Sequence, residues 1–211
     1  MFSFTKTPET ELELNCRLYK LNLAFDVVLS AFAVAADDDL SLEEQTDRCF
    51  DLLVITDGKY SYEKKIDILQ AIFEYVKEQP YGLTQKSDEE IERDKANGEI
   101  PKPVIADFDW EQDAAAVYAS FFSQYGIDLD KERGIMHWDK FKALFDGLDE
   151  KSQINRIRGY RNDDLTSYDE NQKDQLALAA EMKHYYRIKN EQQDENGPFS
   201  ADAGNMFESM L

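Results

Sequence analysis

Two histidines are the side chains in this sequence best suited to move protons near neutral pH. His137 and His184 are the only histidines, and they fall on different predicted helices. Neither is paired with a serine or cysteine in a nucleophile-elbow motif, so we expect no catalytic residue. We expect His137, which precedes Trp138 at a predicted helix start, to cap that helix or to hydrogen-bond a neighbouring one.

Acidic residues offer a second possible chemistry, the binding of calcium. Asp128, Asp130 and Glu132 alternate as the first ligands of a calcium loop do, and Asp139 stands at the closing position. However, Arg133 occupies the sixth place, where the sharp turn of such a loop requires glycine, and the closing ligand should be a glutamate. We therefore interpret these carboxylates as solvated turn residues, and we predict no calcium site.

The remaining motifs of nucleotide binding and hydrolysis are missing from the sequence. It contains no GxGxxG, GxxxxGK[ST], HExxH or GxSxG pattern. A further acidic group flanks a predicted helix N-terminus, where negative charge is favourable without any bound cation. That group consists of Asp37, Asp38, Asp39, Glu43 and Glu44. We predict no enzyme, no metal site and no cofactor.

The charge and the cysteines limit the class of protein. The 211 residues carry 24 Lys+Arg against 44 Asp+Glu, a formal net charge of -20, which repels nucleic acid and anionic membranes. A hydrophobic content of 42% is enough to predict a folded core. Cys16 and Cys49 form no metal-binding pattern and are interpreted as reduced, half-buried thiols of a cytoplasmic protein. Neither a signal peptide nor a membrane-spanning stretch is predicted, since the longest apolar run, Ala31–Ala36, is short.

Residues 1–80 predict a strand or hairpin followed by three helices. Approximate alternation of apolar and polar residues between Leu12 and Leu23 is typical of a short hairpin with a turn near Asn15. Ser41 and Glu44 have the spacing of a capping box and predict the start of the second helix. The apolar faces of the three helices are Phe25, Val28, Leu29, Phe32 and Ala36, then Leu42, Cys49, Phe50 and Leu53, then Tyr62, Ile66, Leu69, Phe73 and Val76.

The remainder of the chain predicts an acidic connection, a second helical region and a tail. Residues 81–106 lose the apolar period and are predicted to form an acidic linker or surface excursion. Residues 107–189 are predicted to be helical, with a cap at Asp107–Asp109 and a helix end at Gly126. The apolar residues of its helices are Trp110, Ala114, Val117, Phe121 and Tyr125; Trp138, Phe141, Leu144, Phe145 and Leu148; Ile154, Ile157 and Tyr160; and, after a start near Asp169, Leu178, Met182, Tyr185 and Tyr186.

These elements define the predicted fold class. Residues 190–211 are polar and acidic and are predicted to be a disordered tail. We therefore predict a mainly α protein, a multi-helix domain with a short N-terminal β-hairpin or strand and a disordered acidic C-terminal tail.

The second helical region contains more aromatic residues than one buried stripe needs. They are Trp110, Tyr118, Phe121, Phe122, Tyr125, Trp138, Phe141 and Phe145. Most are expected in the core. Tyr118, Phe122 and Phe145 lie on the flanks of the stripes, where interfaces often place exposed aromatic anchors. We predict partner binding at Tyr118, Phe122, Trp138 and Phe145.

The same region carries a family resemblance. The string includes Asp107-Phe-Asp109, Asp113, Tyr118, Phe121, Gln124-Tyr-Gly-Ile-Asp-Leu129, Met136-His-Trp138, Phe141, Leu144, Gly147-Leu148 and Gly159-Tyr-Arg161. In this order the elements resemble the phage "gene product fifteen" family, most closely over Asp107–Arg161 and more weakly over Tyr19–Leu53. One departure is Cys16, which occupies a turn position usually suited to glycine.

The resemblance implies a role in building the tails of long-tailed phages and prophages of Gram-positive hosts. Such a protein would be a tail assembly chaperone that binds the tape measure protein and the major tail protein, forms a homo-oligomer and works in the cytoplasm of the infected or lysogenic bacterium. Two alternatives remain open. One is a structural component of the tail or head-tail connector in the virion. The other is an acidic DNA mimic that inhibits a host nuclease, which we rank last because the sequence offers acidity without an ordered array of carboxylates.

Overall fold

The computed structural model describes residues 4–5, 7–78 and 107–189. The predicted acidic segment 81–106 and the predicted disordered tail 190–211 lie outside these residues. The described part contains seven α-helices and three short strands, so the mainly α class with an N-terminal hairpin is confirmed.

Two short strands near the start of the described chain pair with a third strand from later in the sequence, and together they form one antiparallel sheet in the order β1, β2, β3. They are β1 (Glu11–Leu14), β2 (Arg17–Leu21) and β3 (Val54–Ile55). Leu14 pairs with Arg17, which leaves two residues for the turn, Asn15 at φ 53° and Cys16 at φ 60°. Two successive positive φ angles give the type I′ geometry that matches the twist of a hairpin. The predicted turn at Asn15 is confirmed.

Three helices follow: α1 (Phe25–Ala35), α2 (Leu42–Leu53) and α3 (Tyr62–Lys77). Ser41 accepts from the backbone N–H of Glu44, whose side chain bonds back to Ser41, so the predicted capping box is confirmed. The prediction that Leu42 lies on the inner face is wrong. As the first residue of α2 it is exposed, and the buried stripe begins one turn later with Gln45 and Thr46.

The second half contains four helices: α4 (Ala114–Tyr125), α5 (Trp138–Asp146), α6 (Gln153–Asn162) and α7 (Lys173–Tyr185). The cap at Asp109 belongs to a turn before α4, because its carboxylate accepts from the backbone N–H groups of Glu111 and Gln112. Gly126, at φ 66°, ends α4 in the left-handed conformation that favours glycine. Asp169 caps a short 3₁₀ turn that leads into α7.

The described residues form two compact units. Unit 1 consists of those before residue 79 together with Gly134–Phe141, and unit 2 consists of 107–133 and 142–189. The predicted region 107–189 is thus divided, because Gly134–Phe141 packs with the N-terminal elements. The backbone bonds of that segment explain the division: Phe25 N–H donates to Met136 O at 2.9 Å, and Trp138 N–H donates to Leu23 O at 2.7 Å.

Candidate partner-binding surfaces

Helix α4 differs from the other described helices because none of its side chains is charged. It buries Ala116, Val117, Ser120 and Phe121 in unit 2. Its opposite side presents Ala115, Ala119 and Phe122 to solvent, with Tyr118 half-buried beside them. We call Ala115, Tyr118, Ala119 and Phe122 the α4 face. Phe122 is 56% exposed, so an aromatic ring stands on an uncharged surface of an acidic protein.

Tyr118 fixes the position of the Phe122 ring. The two rings are stacked with centroids 6.2 Å apart and planes at 9°. The Tyr118 hydroxyl donates to Asp128 Oδ1 at 3.2 Å, and Lys131 pairs with the same carboxylate at 3.0 Å. Desolvation of the phenol and its bond to Asp128 raise the pKa of Tyr118, so the hydroxyl stays protonated. Tyr118 and Phe122, both predicted partner-binding residues, therefore form one ordered patch.

Trp138 lies in the core of unit 1 and is only 4% exposed. Its indole N–H donates to Val76 O at 3.0 Å, which satisfies a carbonyl near the end of α3. Its ring packs edge-on against Phe32 with centroids 5.7 Å apart. The side chain therefore offers little surface to a partner in this fold.

Phe145 is also buried, at 7% exposure, so its predicted place on an exposed flank is wrong. Phe108 and Trp110, in the segment before α4, pack against it with ring centroids 5.3 and 5.0 Å away. The helical spacing of apolar residues could not predict this burial, because the two rings that cover Phe145 belong to a distant, non-helical part of the chain. Of the four predicted partner-binding residues, Tyr118 and Phe122 keep accessible ring surface.

A buried ion pair brings together residues to which the sequence analysis assigned no role. Arg161 Nη1 and Nη2 donate to the two carboxylate oxygens of Asp113 at 2.6 and 2.9 Å. Arg161 also donates to Tyr186 O at 2.6 Å and to Asp107 O at 3.0 Å. Asp113 accepts in addition from the Asp109 backbone N–H at 2.9 Å.

This ion pair joins α6, the segment before α4 and the end of α7 within unit 2. The sequence does indicate that Arg161 has a buried partner, since Ile154, Ile157 and Arg161 share one helical face. An arginine on an apolar face needs such a partner because a buried charge is costly when it is unpaired. The partner itself could not be chosen among 44 acidic residues.

Both histidines make contacts with neighbouring residues. His137 Nδ1 accepts from the Asp139 backbone N–H at 3.1 Å, so its predicted capping role is confirmed. Because Nδ1 accepts, Nε2 carries the proton that bonds Glu9 O at 2.9 Å. His184 lies on the surface with its Nδ1 3.1 Å from Nη1 of Arg187.

Two of the four candidate calcium ligands pair with neighbouring cationic side chains. Asp128 pairs with Lys131, and Asp130 accepts from Arg133 Nε at 3.2 Å. Within residues 4–5, 7–78 and 107–189, no cluster of three metal-ligating side chains occurs.

The prediction of two half-buried thiols is wrong, because Cys16 is exposed on the hairpin turn and Cys49 is fully buried. Cys49 Sγ donates to Ala31 O at 3.5 Å, and burial raises its pKa to about 12. A buried thiol with so high a pKa carries almost no thiolate at neutral pH and is a poor nucleophile.

No helix in the described part of the chain is long and apolar enough to cross a bilayer.

Comparison with known proteins places the chain in a family. The comparisons with curated proteins and with solved structures gave no match. The family model described as "bacteriophage Gp15 protein" matches residues 7–188, a range that includes the α4 face and the Asp113–Arg161 pair. Because this match spans most of the 211 residues, the chain belongs to the bacteriophage Gp15 protein family.

Proposed function

We propose that this phage protein is a tail assembly chaperone that binds the tape measure protein and the major tail protein during virion morphogenesis. The observation that carries the proposal is the α4 face, an ordered, uncharged aromatic surface on a chain of net charge -20. Membership in a phage family supports the setting of virion assembly. The protein acts by binding, without catalysis.

The α4 face fits an elongated helical partner. A helix without charged residues is usually covered on all sides, yet α4 leaves Phe122 and two alanines open. Small residues beside an aromatic ring allow the backbone of another helix to approach closely while the ring fills its groove. A tape measure protein, which we take to be long and rich in helix, offers repeated apolar stripes of this kind.

The charge of the chain suits the same role. The net charge of -20 limits non-specific aggregation of the chain, while the uncharged side chains of α4 allow apolar contact with little charge repulsion. Self-association around an extended partner, in the cytoplasm of the infected or lysogenic host, is part of the proposal.

Co-expression with the tape measure protein and the major tail protein of the same phage tests the idea. We expect the wild-type chain to bring the tape measure protein into the soluble fraction. Phe122→Glu should abolish this effect, because a carboxylate replaces the exposed ring. Leu178→Glu is a matched control, since Leu178 is also 56% exposed but lies on α7.

Each result has a separate meaning. If the wild-type chain leaves the tape measure protein insoluble and unbound, the chaperone proposal fails. If Phe122→Glu, folded by circular dichroism, behaves like the wild-type chain, the α4 face is not the binding surface. Mass spectrometry of purified virions distinguishes the structural alternative, because a chaperone should be absent from the finished particle.

A further inference from the structure

A cluster of three tyrosines lies where the end of α7 packs against α6. The rings of Tyr160 and Tyr186 are stacked with centroids 5.5 Å apart and planes at 10°. Tyr185 meets Tyr186 edge-on at 4.8 Å. We call these residues, with Arg156 and Arg187, the tyrosine patch. Tyr185, one of the apolar residues that predict α7, is 72% exposed.

The backbone around the patch is held in place. Arg161 donates to Tyr186 O, which fixes the end of α7 to the buried ion pair. Gln112 donates from Nε2 to Arg187 O at 2.9 Å and accepts from the Lys189 N–H at 2.9 Å. The exposed ring of Tyr185 and the Arg187 side chain are therefore presented from an ordered segment, which lowers the entropy cost of binding.

The patch is cationic, unlike the chain as a whole. Neither α6 nor the stretch 182–189 contains a carboxylate. Arg156, Arg187 and Lys189 are exposed and have no carboxylate within 4.0 Å among the residues that the structure describes. Tyr160 beside Arg156 raises the pKa of that guanidinium. By contrast, Arg158 and Arg161 of the same helix are paired with Asp107 and Asp113.

The chain continues from this patch into a segment of opposite charge. Residues 190–211 contain no lysine or arginine. Their acidic residues are Glu191, Asp194, Glu195, Asp202 and Glu208, and their large apolar residues are Phe199, Met206, Phe207, Met210 and Leu211. Carboxylates suit Arg156 and Arg187, which have no carboxylate partner among the described residues, and an apolar side chain suits the exposed face of Tyr185.

We propose that the tyrosine patch binds the acidic segment 190–211 of the same chain. The attachment at Lys189 favours this occupant over a free acidic peptide, because a short tether gives an effective concentration of about millimolar. A nucleic acid phosphate would meet the same arginines but also the repulsion of a chain with net charge -20. The inference does not depend on the tail-assembly role.

Nuclear magnetic resonance on the full chain tests the contact. A nitroxide is placed on Ser200→Cys in a Cys16→Ser background, and the amide signals of Ile157 and Tyr160 are followed. We expect these signals to lose most of their intensity in the protein with a native patch. The double variant Arg156→Glu and Arg187→Glu should restore the intensity, as should raising the ionic strength from about 0.05 to about 0.5 M.

A matched control reverses the charge of two other exposed side chains of unit 2, with the substitutions Lys131→Glu and Arg133→Glu. That variant should keep the loss of intensity, since its charges lie on another turn. Mixing isotope-labelled chain with unlabelled, nitroxide-bearing chain tests contact between molecules. A loss of signal in the mixture as large as in the chain that carries both labels would overturn binding within one chain.

Two other results would also contradict the proposal. Unchanged signals in the nitroxide-bearing protein would mean that the segment does not reach the patch. Broadening that persists in the Arg156→Glu and Arg187→Glu variant would mean that these arginines do not hold the segment. In a third experiment the same signals are followed after a single-stranded oligonucleotide is added. If the oligonucleotide binds at the patch and displaces no acidic segment from it, the patch is a nucleic acid site instead.

Discussion

Replacing Asp113 with asparagine removes the counter-charge of Arg161 while keeping the size of the side chain. Both side chains are almost inaccessible, at 4% and 5% exposure. Removing one partner of a buried ion pair costs about 3–5 kcal/mol, because the other charge stays buried without compensation. The asparagine oxygen can keep one acceptor position for Arg161 or for the Asp109 N–H. We therefore expect the lower end, a loss of about 3 kcal/mol in the free energy of unfolding of unit 2.

Asp107→Asn is the matched control. Asp107 pairs with Arg158 at 2.8 Å, but these side chains are 24% and 32% exposed, so their pair is screened by solvent. Loss of this exposed ion pair should lower the free energy of unfolding by about 1 kcal/mol or less.

The assay is urea unfolding followed by fluorine resonances of 5-fluorotryptophan. The chain has two tryptophans, Trp110 in unit 2 and Trp138 in unit 1, so each unit has its own probe. Asp113→Asn should shift the Trp110 transition to lower urea and affect the Trp138 transition less. The account of the buried pair is refuted if Asp113→Asn costs no more than Asp107→Asn, or if only the Trp138 transition moves.

Four further predictions concern unit 1. Cys16→Gly should stabilise the hairpin by about 0.5–1 kcal/mol in thermal unfolding, because glycine adopts a positive φ without steric cost; unchanged or lower stability would contradict this. Ser41→Ala should cost about 1 kcal/mol by the same measurement, since it removes the side-chain acceptor of the Glu44 N–H; a cost near zero would mean that the capping box contributes nothing. In the folded protein Cys16 should react with a thiol reagent at pH about 8, whereas Cys49 should react only after the protein unfolds. Because burial raises the pKa of Cys49 from its ordinary 9.0 to about 12, stability should fall as pH rises through that interval, and Cys49→Ala should weaken this fall.

Local features of the fold were predictable because their causes lie within a few residues. The hairpin turn consists of two successive residues at positive φ, and the start of α2 depends on the reciprocal bonds of Ser41 and Glu44. The helices are recognisable from apolar residues at the spacing of one helical turn. The family resemblance rested on the same kind of information, and the match over residues 7–188 confirms it.

Exposure was harder to predict because it depends on what covers a side chain from elsewhere. The sequence predicts that Phe122 and Phe145 both lie on the flanks of buried stripes. Only Phe122 is open, since Phe108 and Trp110 fold over Phe145. Tyr185, one of the apolar residues that predict α7, is exposed.

The sequence alone determined the helical class, the turns and caps, the acidity, the lack of a recognisable catalytic motif and the family. The tertiary structure decided which distant segments meet. It paired Asp113 with Arg161 across 48 residues and placed Gly134–Phe141 in unit 1. Caps and periodicity act over about one or two helical turns, whereas these contacts form only when several elements pack at once. The open ring of Phe122, on which the proposed function rests, is decided by that same packing.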